Sequence, residues 1–115
     1  SQAGLPVEVQ VEGVLRRDLS PGLDLTAYRI IQEALTNSLK HANGATAEVH
    51  IEYGEQELRI EVLDSGGVQL NATNGSGRGL LGMRERVAMY GGELEAAQRP
   101  EGGFVVRASL PVSSA

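Results

Sequence analysis

The chain has 115 residues, a formal net charge of −5 and no cysteine. An acidic balance with 3% aromatics argues against non-specific nucleic-acid binding, which needs phosphate neutralisation and stacking platforms. The missing cysteines exclude disulfides, thiolate nucleophiles and Cys-type zinc sites, and the length suits one domain, residues 1–115 with a core over about 5–111. Fifteen residues are glycine, about twice the ordinary share. Six of them fall between Gly66 and Gly82, so the excess marks a local backbone requirement rather than a linker. No apolar run is long enough to span a bilayer, and Ser1-Gln2-Ala3-Gly4 reads as a cloning remnant on a piece of a larger protein.

Leu5 to Val11 alternates, with Leu5, Val7, Val9 and Val11 on one side, and predicts a strand with that side buried. Ser20-Pro21 is a helix start, and the helix should run to about Ala42 before Asn43-Gly44 stops it. At about 100° per residue, Ala27, Ile31, Ala34, Leu35, Ser38 and Ala42 form its apolar stripe, and Arg29, Glu33, Asn37 and Lys40 a second stripe on the far side. Thr46 to Tyr53 and Leu58 to Leu63 read as two strands joined by a short hairpin. Ser65 to Gly79 reads as a glycine-rich loop, followed by a helix over Leu80 to Tyr90 with Leu80, Met83, Val87 and Tyr90 on one face. Gly91-Gly92 ends it, and Glu93 to Ala97 and Phe104 to Leu110 form a last hairpin. Helices and strands do not alternate strictly, so the pattern predicts a two-layer α/β sandwich, a mixed sheet with helices on one face.

Several residues admit a chemical reading beside a plain one. Glu33 and Asn37 are one helical turn apart, and form either a solvated face or a hard-cation site with an adjacent general base. Asp64 is either a turn former or a strand-end carboxylate able to accept from an exocyclic amine. His41 suits a helix end and His50 an exposed strand face. Gly75-Ser76-Gly77-Arg78-Gly79-Leu80-Leu81-Gly82 runs alternate glycines into a helix start, which aims free amides at an anion. It has neither the Gly-Lys-Ser/Thr of a Walker loop nor the strand-to-helix turn of the Rossmann fingerprint.

Three segments taken together resemble a known family. Residues Tyr28 to Ala42 resemble the N box of a histidine-kinase ATP-binding domain, Asp64-Ser65-Gly66 its first glycine box, and Gly77 to Val87 its second. The wording is most similar to the sensor kinases that partner NarL/LuxR-type response regulators, within the GHKL superfamily. The resemblance implies the Bergerat α/β sandwich, with ATP between the N-box helix and a glycine-rich lid. It implies that Asn37 holds Mg2+ and that Glu33 activates the attacking histidine, while Lys40 and His41 face the phosphates. Asp64 would receive the adenine amino group with Gly66 nearby, and Gly77 and Gly79 would cradle the phosphates with the amides of Leu80 and Leu81. The first glycine box departs from Asp-x-Gly-x-Gly, with Val68 in the last position and an extra glycine at Gly67. The acceptor histidine of such kinases lies on a separate dimerisation domain that nothing in this sequence resembles. The implied partners are therefore ATP, that domain and a response regulator, for an isolated domain that is monomeric, cytoplasmic and inactive in autophosphorylation. An anti-sigma-factor serine kinase of the same superfamily and a non-catalytic nucleotide-binding module are the alternatives.

Overall fold

A computed structural model of the chain describes residues 6–14, 19–43, 46–65, 68–69 and 77–112. Its elements run β1 (Val7–Gly13), α1 (Pro21–His41), β2 (Ala42–Asn43), β3 (Ala47–Tyr53), β4 (Glu57–Asp64), β5 (Val68–Gln69), α2 (Gly77–Met89), β6 (Glu93–Gln98) and β7 (Phe104–Pro111). The expected order of the principal elements is the observed one. The start of α1 follows from its cap: the Ser20 Oγ accepts from the Leu23 amide at 3.2 Å, and Pro21 opens the helix where its missing N–H costs nothing. The end of α2 lies at Gly91-Gly92, where the Gly91 amide donates to the Ala88 carbonyl at 2.9 Å and the Gly92 amide to Val87 at 3.0 Å.

Five strands form a mixed sheet in the order β1-β3-β4-β7-β6. β1 runs parallel to β3, and the other neighbours are antiparallel. β2 and β5 form a separate two-stranded antiparallel pair. On one face of the large sheet Val49, Leu58, Ile60, Val62, Leu94, Val106, Ala108 and Leu110 meet Leu23, Ala27, Ile30 and Ala34 of α1 and Val87 of α2. The other face carries charged cross-strand pairs, Arg107 Nε to Glu61 Oε2 at 2.6 Å and Arg59 Nη1 to Glu52 Oε1 at 3.3 Å. The result is the predicted two-layer sandwich, with α1 across β3, β4 and β7 and α2 on β6. Tyr90 lies against Gly22 and Gly79 against Glu33, so the two helices are antiparallel neighbours. Among the described residues, no helix is long and apolar enough to cross a membrane.

Four expectations are corrected. Val7, Val9 and Val11 do share the helix-facing side, in register with Ala47, Val49 and Ile51, but the strand is exposed throughout, with Val9 57% accessible. The reason is width. Five strands about 4.8 Å apart make a layer about 24 Å wide, and two helices about 10 Å across cover about 20 Å of it, so the outermost strand is left bare. Next, the inward stripe of α1 is only in part the expected one: Ala27, Ala34 and Ser38 are buried as expected and are joined by Leu23, Thr26 and Ile30, whereas Ile31 and Leu35 are only half-buried, and Glu33 and Asn37 sit at the margin of the packed face rather than on the far side. The cause is α2, which packs along that flank of α1. Third, Ala42 and Asn43 leave the helix to pair with β5; Gly44 lies outside the described residues. Fourth, α2 begins at Gly77, one turn earlier than periodicity predicts, because the glycines there join the helix.

Ile30 is 1% exposed and central to the core, so Ile30→Ala should cost about 2–5 kcal/mol in denaturant unfolding. Val9→Thr keeps β-branching on a bare strand and should change stability by no more than about 0.5 kcal/mol in the same assay.

Candidate functional site

The C-terminal half of α1, the end of β4, the β6–β7 turn and the first turn of α2 come together at one edge of the helix layer. Asp64 is the last residue of β4 and is 5% exposed. Its position follows from strand alternation: Leu58, Ile60, Val62 and Asp64 all point to the helices. A carboxylate buried there needs donors, and it has them. The Ser38 hydroxyl on α1 donates to Oδ2 at 2.6 Å, and the Phe104 amide at the start of β7 donates to Oδ1 at 3.1 Å. The Asp64 carbonyl accepts from Arg99 Nη1 at 2.8 Å. A carboxylate has about four acceptor positions, so two donors leave room on each oxygen for a ligand.

Asn37 precedes Ser38 on the same margin of α1. Its side-chain nitrogen is shielded from solvent and has no hydrogen-bond partner, the only such side-chain atom among the described residues. An orphaned amide costs stability unless something else uses the group. One turn earlier, the Glu33 carboxylate lies directly against Gly79, where a Cβ would overlap its oxygens. Only glycine permits this approach, and it places a carboxylate beside the first turn of α2, where the helix dipole favours negative charge. Gly77 and Gly79 are both in that first turn. Leu80 is half-buried, and Leu81 is exposed and a full turn in, where an amide faces the preceding helical turn.

The structure therefore brings together Glu33, Asn37, Asp64 and Gly79, with Gly77, Leu80 and Leu81 on α2. Lys40 and His41 belong to the last turn of α1 in backbone only; their side chains and Gly66 lie outside the described residues, as does most of the glycine-rich segment. His50 is on the opposite face of the sheet, with Nε2 2.9 Å from Glu48 Oε1. That face also has a concavity of about 450 Å3 lined by Glu12, Glu52, Glu61 and Arg107 among others, and none of the candidate site residues borders it. Among the described residues no three His, Cys, Asp or Glu side chains cluster as a metal cage. Asn37 is the residue that the sequence reading assigns to a hard cation, and an amide oxygen is a ligand type that suits one.

Sequence reasoning missed four participants. Ser38 was placed in the apolar stripe, where a hydroxyl is itself the hint of a buried polar partner. Gly103 has φ +97 and sits so close to the Asp64 carbonyl that a Cβ would collide with it; the Gly102-Gly103 pair marks such a turn. Phe104 contributes through its main chain, and Arg99 carries no local signal at all.

The comparisons with known proteins bear on the family and the fold. The family profile described as histidine kinase-, DNA gyrase B- and HSP90-like ATPase matches residues 22–114. The chain is 33% identical over 96% of its length to the sensor histidine kinase YxjM of Bacillus subtilis, covering 27% of that protein. It is 31% identical over 80% of its length to the signal transduction histidine-protein kinase/phosphatase DegS of Brevibacillus brevis, covering 24% of it. It thus spans about a quarter of the length of the curated relatives it matches. Among solved structures, the histidine kinase domain of the Erythrobacter litoralis EL346 blue-light activated kinase superposes with a TM-score of 0.71 at 23% identity, covering 95% of this chain and 52% of that one.

Gly103→Ala should destabilise the fold by more than about 1 kcal/mol, since it forces both a left-handed φ and a main-chain clash. Gly79→Ala should be neutral or stabilising by up to about 1 kcal/mol, because alanine favours the helix and the Glu33 side chain swings aside; thermal melts of the two variants separate them. Glu101 accepts from Arg99 Nη2 at 2.9 Å and is held below the usual carboxylate range, first by its own backbone amide and then by Arg99. A lowered carboxylate stabilises the fold above the usual range and loses that contribution as pH falls through its lowered value. Carboxylate-detected NMR titration should give a midpoint for Glu101 below that of a free glutamate, and Arg99→Ala should raise it part of the way.

Proposed function

The chain belongs to the histidine kinase-, DNA gyrase B- and HSP90-like ATPase family, and we propose that it is the ATP-binding catalytic domain of a sensor histidine kinase. In this reading it transfers the γ-phosphate of ATP to a histidine on a separate dimerisation domain, for relay to a response regulator, on the cytoplasmic side of a free or membrane-anchored protein. One observation carries the proposal: Glu33, Asn37, Asp64 and the glycine-opened first turn of α2 converge from distant parts of the chain onto one edge of the helix layer.

The chemistry divides along that edge. Asp64 is an acceptor held in place by two donors, suited to the exocyclic amine of adenine, with Gly66 following it in sequence. At the other end, the amides of Gly77 and Gly79 open a helix and suit phosphate oxygens, with Leu80 and Leu81 behind them. Lys40 and His41 are assigned to the same phosphates by the resemblance to the N box alone. Asn37 suits Mg2+ because an amide oxygen is a hard-cation ligand, and its buried nitrogen, a donor with no internal partner, suits an acceptor oxygen of the ligand. When bound, Mg2+ neutralises charge on the phosphates. Glu33, one turn away, takes the proton from the acceptor imidazole as the ring nitrogen bonds to the γ-phosphorus and ADP departs. The preference of a helix N-terminus for anions gives Glu33 its place beside Gly79 before the nucleotide arrives.

Titration with Mg·ATP, followed by amide NMR, should move the signals of Asn37, Asp64 and Gly79. Unmoved signals up to millimolar nucleotide would overturn the assignment. In the full-length protein Glu33→Gln should lower phosphohistidine formation by about 10²–10⁴-fold, with ATP affinity held within about twofold. Equal losses of both would make Glu33 a binding residue only.

A further inference from the structure

Arg99 opens the turn between β6 and β7, a place where a solvated loop would be expected, yet only a quarter of its side chain is exposed. Nη1 donates to the Asp64 carbonyl at 2.8 Å, and Nη2 donates to Glu101 Oε2 at 2.9 Å. The turn is closed by its own main chain: the Arg99 amide donates to the Gly103 carbonyl at 2.8 Å and the Gly102 amide to the Arg99 carbonyl at 3.0 Å. Gly103 lies flat against the Asp64 carbonyl, and the next amide, that of Phe104, reaches Asp64 Oδ1. The turn and the residue that follows it thus grip both the carbonyl and the carboxylate of a single residue. A hairpin needs no guanidinium to close, since its ladder and turn bonds already do so. The fork of Arg99 is spent on joining this hairpin to the end of β4.

We propose that Arg99 is a positioning residue for the base of the nucleotide: it locks the 99–103 turn onto β4 and thereby sets the rotation of the Asp64 carboxylate toward a purine exocyclic amine. The inference rests on the reading of Asp64 as the adenine acceptor. The mechanism is geometric. Ser38 holds one carboxylate oxygen from α1, and the Phe104 amide holds the other from the hairpin. Two donors on different oxygens define the plane of the group, and so the direction of its remaining acceptor positions. The β4–β7 ladder holds the strands in register as far as Leu63 and Val105, but with the 99–103 turn beyond it free to shift, the Oδ1 bond loosens, and a ligand must reorient the carboxylate at a cost to affinity. Glu101 contributes by holding the second arm of the guanidinium, so the first stays on the Asp64 carbonyl.

The test compares ATP with purine riboside 5′-triphosphate, which lacks only the 6-amino group, by calorimetry on the 115-residue chain. The wild-type protein should prefer ATP. Arg99→Ala should weaken ATP about tenfold, part of one charge-assisted hydrogen bond, while leaving the deaminated nucleotide within about twofold. The preference then collapses although the phosphate end is untouched. Arg99→Lys, which keeps one donor for the Asp64 carbonyl, should recover part of it, and Glu101→Ala should fall between. If both nucleotides weaken equally, or neither does, Arg99 is a structural staple and the proposal is wrong. Should Arg99→Ala melt below the assay temperature, the preference ratios of Arg99→Lys and Glu101→Ala decide in the same way. A wild-type protein that binds neither nucleotide overturns the proposed function and this inference together. One that prefers ATP while every variant keeps the full preference overturns this inference alone.

Discussion

A carboxylate buried among aliphatic side chains is the constraint around which this molecule is arranged. Asp64 stands at the end of a strand whose previous inward residues are Leu58, Ile60 and Val62, and a charge in that row is tolerated only if donors reach it. They come from two elements that are far apart in sequence, Ser38 on the helix and Phe104 on the last strand, while Arg99 in the turn before that strand holds the Asp64 carbonyl. The same contacts tie α1 to β4 and the β6–β7 hairpin to both, so they fix the edge of the sandwich where the candidate site lies. Breaking one partner leaves the others facing an under-satisfied charge, which is why such an arrangement is cooperative.

The second determinant is the antiparallel contact of the two helices. Because α2 packs beside α1, the Glu33–Asn37 margin faces a neighbour rather than solvent, and the absent side chain at Gly79 lets the Glu33 carboxylate reach the first turn of α2. Glycine therefore acts here less through flexibility than through space. The proposed phosphate end and the proposed general base share that small volume, in keeping with a reaction in which positioning and charge stabilisation do most of the catalytic work.

Much of the fold was legible in the sequence. Alternation over Ala47–Tyr53, Glu57–Asp64 and Phe104–Pro111 and the Ser20-Pro21 start were read nearly to the residue, and the three boxes pointed to the family. The errors have a common origin. Periodicity says which residues share a face, and it says nothing about what covers that face. Val7, Val9 and Val11 were correctly grouped yet are bare, since the helix layer is narrower than the sheet. Ile30 was missed and Ile31 overrated because the direction from which β4, β7 and α2 approach α1 is not written in α1 itself.

By itself, then, the sequence determined the element order, the sidedness of each strand and the residue types available for an adenine acceptor, a hard-cation ligand and a general base. Those properties depend on neighbours within a few residues along the chain. Only the tertiary structure decided that Ser38 and Phe104 satisfy Asp64, that Arg99 clasps it and that Glu33 lies against Gly79. These contacts join residues 26 to 46 positions apart, and such pairings are set by how layers of unequal width stack and where a buried charge finds its donors.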